Sequence, residues 1–283
     1  MRQMFLLSAG LIGALTLASC SKEIDKEAVE RALQDVNVID ESNLNTVILN
    51  SSDPNEAVSY FQRSLAKNPE RIDFSRGLAA SLVRAKRYTE AVPAWQRVVA
   101  LPEAIDADRV ELADALIRTN NWDRAKEVLT SVPPTHETYK RYRLEAMVAD
   151  SEKNWKAADS FYETAIGLTT TPAGVFNNWG YSKLTRGDYT EAERLFGEAL
   201  RQDPNLFTAK NNLVLARGAQ RNYSLPVIAM TQTERAQLLH TMALSAVKQG
   251  DVSTGEGLLR DAIDTHPQHF DAAARALEAL EKG

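Results

Sequence analysis

A small residue returns at a fixed interval through most of the chain: Ala57, Ala91, Ala125, Ala158 and Ala192 are separated by 34, 34, 33 and 34 residues. Four positions after each stands a large apolar side chain (Phe61, Trp95, Leu129, Tyr162, Phe196), and three positions before four of them an aromatic one (Tyr88, Trp122, Trp155, Tyr189). Offsets of three and four residues fall on one face of an α-helix, so these stripes are predicted core. A polar turn leads into each aromatic, as AKRY, TNNW, EKNW and RGDY. A unit of this length cannot bury its own apolar face, so copies must stack and share one continuous core.

The fullest copy is FNNWGYSKLTRGDYTEAERLFGEALRQDP, residues 176–204. Gly180, Ala192 and Ala199 let two helix axes approach closely, Phe196 fills the gap to the next unit, Gly187 and Tyr189 mark the turn and the second helix, and Pro204 stops it. The pattern resembles the tetratricopeptide repeat, a pair of antiparallel helices. The resemblance implies an all-α fold, a right-handed superhelical solenoid of about six to seven helix pairs with a C-terminal capping helix. The register places units near residues 38, 72, 106, 139, 173, 207 and 236. The first is weak in its leading helix. The sixth has Tyr223 where the aromatic belongs but Pro226 in place of the small alanine, so residues 224–235 read as an insertion. The chain restarts at Thr231, where TQTE forms a capping-box pattern, and a final amphipathic helix from about Gln268 to Leu280 caps the stack.

Ahead of the repeats, Arg2 precedes an apolar stretch from Met4 to Leu17, the length of a secretory h-region and too short for a permanent span. It runs into Leu-Ala-Ser-Cys at residues 17–20, which resembles the bacterial lipobox and implies cleavage before Cys20 and acylation of its thiol. Three acyl chains anchor stably where one does not. Ser21 after the cysteine points to the outer membrane, periplasmic face. The expected layout is a signal peptide at 1–19, a lipidated cysteine and tether at 20–37, the solenoid at 38–267 and the cap at 268–283. Removing the signal leaves 32 Lys and Arg against 38 Asp and Glu, a formal charge of −6. That balance provides no basic face for releasing counterions, which argues against nucleic acid as a partner. With its sole cysteine lipidated, the chain has no thiol left for a disulfide, metal site or nucleophile.

The sequence contains no phosphate-binding glycine loop, HExxH or GxSxG, and its carboxylates show no recurring pair for acid–base work; no cofactor and no metal are expected. His266 and His269 flank Pro267 at the end of a repeat and read as surface imidazoles, as does His136 in its loop. The informative polar feature is a doublet: Asn177-Asn178 and Asn211-Asn212 stand 34 apart in the first helices of adjacent units. In tetratricopeptide proteins these helices line the concave groove, where an amide can donate to and accept from a peptide backbone at once. The competing reading assigns the asparagines to hydrogen bonds inside the repeats. Tyr181, Arg143, Arg76 and His240 fall on or near the same inner face, as candidates for stacking or charged contacts or as merely exposed residues.

The ending MTQTERAQLLHTMALSAVKQGDVSTGEGLLRDAIDTHPQHFDAAARALEAL, with NNWGYSKLTRGDYTEAERLFGEAL before it and the lipobox in front, resembles the tight-adherence (Flp) pilus assembly lipoproteins. This implies a pilotin-like scaffold that engages a client of the pilus machinery, the secretin or an associated assembly protein. Two other classes remain open: an adaptor for another envelope machine (β-barrel insertion, peptidoglycan synthesis, protease adaptation) and an enzyme with its site in the groove.

Overall fold

The computed structural model describes residues 44–50 and 52–282, so the expected signal peptide, Cys20 and the tether lie outside the described residues. Residues 44–50 are helical. The unit that begins at Asp53 is a run of helices: α1 (Pro54–Lys67), α2 (Ile72–Arg84), α3 (Tyr88–Val99), α4 (Asp106–Arg118), α5 (Trp122–Thr130), α6 (Tyr139–Ser151), α7 (Trp155–Gly167), α8 (Ala173–Thr185), α9 (Tyr189–Gln202), α10 (Phe207–Ala219), α11 (Gln232–Lys248), α12 (Val252–Thr265) and α13 (Asp271–Lys282). Five first helices begin where the period places them, at Ile72, Asp106, Tyr139, Ala173 and Phe207.

Neighbouring helices pack through the small and bulky stripes. Ala57, Ala91, Ala125, Ala158 and Ala192 have no exposed surface, and Phe61, Trp95, Leu129, Tyr162 and Phe196 are all buried. Close approach is obligatory where a glycine faces the bulky residue. A Cβ on Gly180 would stand 2.7 Å from the Phe196 ring and one on Gly77 2.3 Å from Phe61, both impossible contacts. The aromatics at the second-helix starts depart from the predicted core role: Tyr88, Trp122, Trp155 and Tyr189 are only half-buried. Their rings cover the turn and carry cations, with Arg118 5.3 Å above Tyr88 and Arg186 5.3 Å above Trp155.

The turns themselves are helix C-caps of one design. Lys86, Asn120, Lys153, Gly187, Arg221 and Gly250 all have φ between 58° and 86°, and the residue after each donates back to the carbonyl five positions earlier, as Asp188 N to Lys183 O at 2.9 Å and Asn154 N to Ala149 O at 2.8 Å. This is the six-to-one bond of a left-handed cap. Only two of the six positions are glycine, so the chain accepts left-handed strain at four of them.

The sixth unit lacks its second helix. Pro226 cannot supply the N–H that a helix interior needs, and residues 220–231 run without helix after α10. Tyr223, Leu225 and Met230 instead fill the space against Val214, Leu238 and Met242. The chain then restarts on the capping box: Glu234 N donates to Thr231 Oγ1 at 3.1 Å and Thr231 N to Glu234 Oε2 at 2.8 Å. Lys210, almost completely buried, donates to the same Glu234 carboxylate at 3.0 and 3.1 Å and ties α10 to that start. At the far end α13 lays Ala273, Ala276, Leu277 and Leu280 on the cluster of Leu239, Ala243, Leu259 and Ala262.

Candidate functional site

The first helices of successive units stand side by side, and polar bonds cross from each to the next. Between α2 and α4 the bond is ionic: Arg76 Nε and Nη2 each donate to Asp108 at 2.8 Å, and Nη2 also reaches the Glu103 carbonyl at 3.1 Å. Between α4 and α6, Lys140 pairs with Glu111 at 2.6 Å and approaches Asp114 at 3.5 Å, while Asp114 also accepts from Arg118. From α6 onward bonds from neutral donors join in, beside the Lys210–Glu234 ion pair that links α10 to α11. Ser182 Oγ on α8 and the Tyr162 hydroxyl donate to the two oxygens of Asp150 at 2.6 and 2.9 Å. Asn212 Nδ2 on α10 donates to Asn177 Oδ1 on α8 at 3.1 Å, and Thr241 on α11 donates to Asn211 Oδ1 on α10 at 2.8 Å.

A groove of about 420 Å3 opens along this second stretch. Asn177, Asn178, Tyr181, Ser182 and Thr185 of α8 form its centre, Met147, Asp150 and Ser151 of α6 one wall, Thr208 and Asn212 of α10 the other, with Trp122 and Tyr162 completing the lining. Its amides keep unspent capacity. Asn178 donates only to the Met147 sulfur at 3.4 Å and accepts at 3.5 Å from Asn177, and the side-chain oxygen of Asn212, Oδ1, accepts from nothing among the described residues. A primary amide has two donors and two lone pairs to give.

Burial pushes the Asp150 carboxyl above its usual range, against the two hydroxyl donors that hold it. Burial, reinforced by the Asp150 charge, pushes the Tyr162 phenol well above 10, so it stays a donor. The two groups form a polar seam under a groove of amides, hydroxyls, rings and a thioether.

Of the residues singled out in the sequence, the structure brings Asn177, Asn178, Tyr181 and Asn212 together. Asn211 faces Thr241 rather than the groove. Arg143 lies one turn from Met147 on α6. Arg76 does not line the groove: it stands on α2 with its guanidinium bonded to Asp108. His240 is elsewhere too, half-buried with its ring 5.4 Å from Phe270 of the cap, and burial lowers its pKa. His266 stacks on the same Phe270 at 4.9 Å, and His269 stands 3.9 Å from Asp271. Among the described residues no group of His, Cys, Asp and Glu is placed to hold a metal, and no helix is long and apolar enough to cross a membrane. Sequence reasoning missed Trp122, Met147, Asp150 and Ser182. One signal was available: Met147 lies 34 residues before Tyr181, at the same point of its repeat.

Comparison with known proteins agrees with this geometry. The tetratricopeptide repeat model matches residues 49–108 and 177–225. A 170-residue stretch is 25% identical to stress-induced-phosphoprotein 1 of Caenorhabditis elegans, covering 59% of this chain and 52% of that protein, so the chain spans about half the length of that relative. Among solved structures, the Cut9 and Hcn1 hetero-tetramer of the APC/C superposes over 83% of this chain and 48% of the matched chain, with TM-score 0.61 and 15% identity. PilW, described as a widely conserved type IV pilus biogenesis factor, superposes over 73% of this chain and 98% of its own, with TM-score 0.52 and 15% identity. The molecule is an all-α tetratricopeptide-repeat solenoid in fold.

Proposed function

We propose that this protein is a non-enzymatic, lipid-anchored scaffold on the periplasmic face of the outer membrane. It holds an extended segment of a protein client in the groove of α6, α8 and α10 and promotes the client's assembly. The observation that carries the reading is the meeting of Asn177, Asn178 and Asn212 with Tyr181 and Met147 in one open channel, where amides with unspent donors and acceptors stand beside apolar surface. A peptide backbone needs the first and its side chains the second.

The client is the secretin of a tight-adherence pilus machine or a protein bound to it. Support for this comes from the Leu-Ala-Ser-Cys signature at 17–20 and the resemblance of the C-terminal repeats to pilus assembly lipoproteins. PilW gives a precedent for the same fold in pilus biogenesis.

In a strain lacking this protein, secretin multimers should be depleted from the outer membrane. Wild type should restore them; the protein with Asn177, Asn178 and Asn212 all replaced by alanine should not, although it folds. Each lost hydrogen bond to a ligand costs roughly 1–3 kcal/mol, so client affinity should fall more than tenfold. Cys20→Ser should give a folded protein that takes up no labelled palmitate. Normal secretin multimers and intact pili in the deletion strain would refute the pilus client and move the scaffold to another envelope machine.

A further inference from the structure

Arg143, Met147 and Asp150 share one face of α6, at spacings of four and three residues. Met147 and Asp150 line the groove, and the Arg143 charge acts on the Tyr162 hydroxyl that lines it as well. Other arginines on these helices have their partners: Arg76 with Asp108, Arg118 with Asp114, Arg141 with Glu145, Arg186 with Asp159. Arg143 has none. Its Nε is buried without a hydrogen-bond partner, and its guanidinium makes no ion pair among the described residues. The carboxylate in the groove, Asp150, is held by Ser182 and Tyr162 and makes no bond to Arg143. An arginine does not shed its charge, so this partly exposed guanidinium without an ion pair favours an incoming counter-charge.

The next turn of the same face is apolar. Met147 stands with Trp122 and Tyr181 around the channel, and Tyr181 leaves 53% of its surface exposed. Four residues along a helix advance about 6 Å. In an extended chain, residues two apart project from the same side and lie about 6.6 Å apart. The two spacings match.

Taking the groove as a peptide site, we infer that the bound segment is extended and carries an acidic side chain facing Arg143, with a large apolar side chain two residues away lodged among Trp122, Met147 and Tyr181. The acid neutralises the unpaired guanidinium, the apolar residue covers the exposed rings, and the asparagines hold the backbone beside them. The motif is Asp or Glu, any residue, then Phe, Tyr, Leu or Met, in either chain direction.

The test is selection of random 12-residue peptides, displayed without a free C-terminus, on the full-length protein. Selected sequences are then synthesised and measured by fluorescence anisotropy. Wild type should enrich the acidic and apolar pair at that spacing. Changing the peptide's Asp to Asn should weaken binding about tenfold on wild type and leave it unchanged on Arg143→Gln, which should melt at or above the wild-type temperature because it loses only an unpaired charge. Arg143→Lys should keep the acidic preference. Enrichment that needs Asn178 and Asn212 but shows no acidic preference, or an acidic preference intact in Arg143→Gln, would overturn the inference and leave the groove standing. An acidic preference satisfied only by a free peptide C-terminus would also overturn it. No enrichment, or enrichment indifferent to Asn178→Ala with Asn212→Ala, would bring down the groove reading as well.

Discussion

Arg76 and Asn177 are the fifth residues of α2 and α8 and so occupy the same place in their repeats. At the first, a bidentate bond to Asp108 uses up the side chain, since the next first helix supplies a carboxylate that is 3% exposed and also caps its own helix through Ile105 N. At the second, the neighbour supplies another amide, and the contact of Asn212 with Asn177 leaves donors and lone pairs over. Position on the inner face therefore does not make a binding residue. What decides is whether the neighbouring repeat consumes the group. Arg143, again the fifth residue of its helix, shows a third outcome, a cation for which the neighbour supplies nothing.

The comparison can be broken from below by removing what both stretches share. Phe196→Ala opens a cavity under the groove and should cost about 3–5 kcal/mol, read as a fall in melting temperature with loss of binding. Ala192→Leu overpacks the same contact and should cost about 1–3 kcal/mol. Unchanged melting in both would contradict the repeat register.

The comparison is sharpened by cutting one bond on each side. Asp108→Asn leaves Arg76 facing a weaker acceptor and removes a cap, and should cost about 1–2 kcal/mol in urea unfolding, the low end for a charged pair because Arg76 is partly exposed. Asn178→Ala, whose bonds are a 3.5 Å amide contact and a sulfur acceptor, should leave stability within about 0.5 kcal/mol while weakening peptide binding.

Smaller effects follow at the turns and the cap. Lys153 holds φ at 58°, so Lys153→Gly should raise stability by up to about 1 kcal/mol as left-handed strain is relieved. Burial lowers the His240 pKa from 6.5 and so favours its neutral form in the folded chain. Its contribution to stability is full above pH 6.5 and is lost as pH falls below that value towards the folded pKa. His240→Leu should flatten that part of the stability profile.

The regular units were legible because alanine and its bulky partner are a matter of spacing, and spacing survives in one dimension. The five helix starts from Ile72 to Phe207 coincide with the period for that reason. The pairing of Arg76 was not legible because its partner, Asp108, lies 32 residues away and the contact depends on how α2 and α4 pack. The turn aromatics carry a core-like sequence signal yet end half-buried, because their rings lie over turns where cations can reach them. Pro226 announced a break in the sixth unit, but nothing local revealed that Tyr223, Leu225 and Met230 would replace a helix. The amide groove was half visible: the doublets marked α8 and α10, whereas Met147, Asp150 and Trp122 enter only when four units are stacked.

Hydrogen exchange on the full chain, with and without the tightest selected peptide, tests most directly the claim that binding belongs to the stretch whose polar groups are left unspent. Added protection should appear in α6, α8 and α10, including the amides around Asn178 and Asn212, with α2 and α4 exchanging as in the free protein. Protection confined to α2 and α4, where the ion pairs of Arg76 and Lys140 close the inner face, would contradict it.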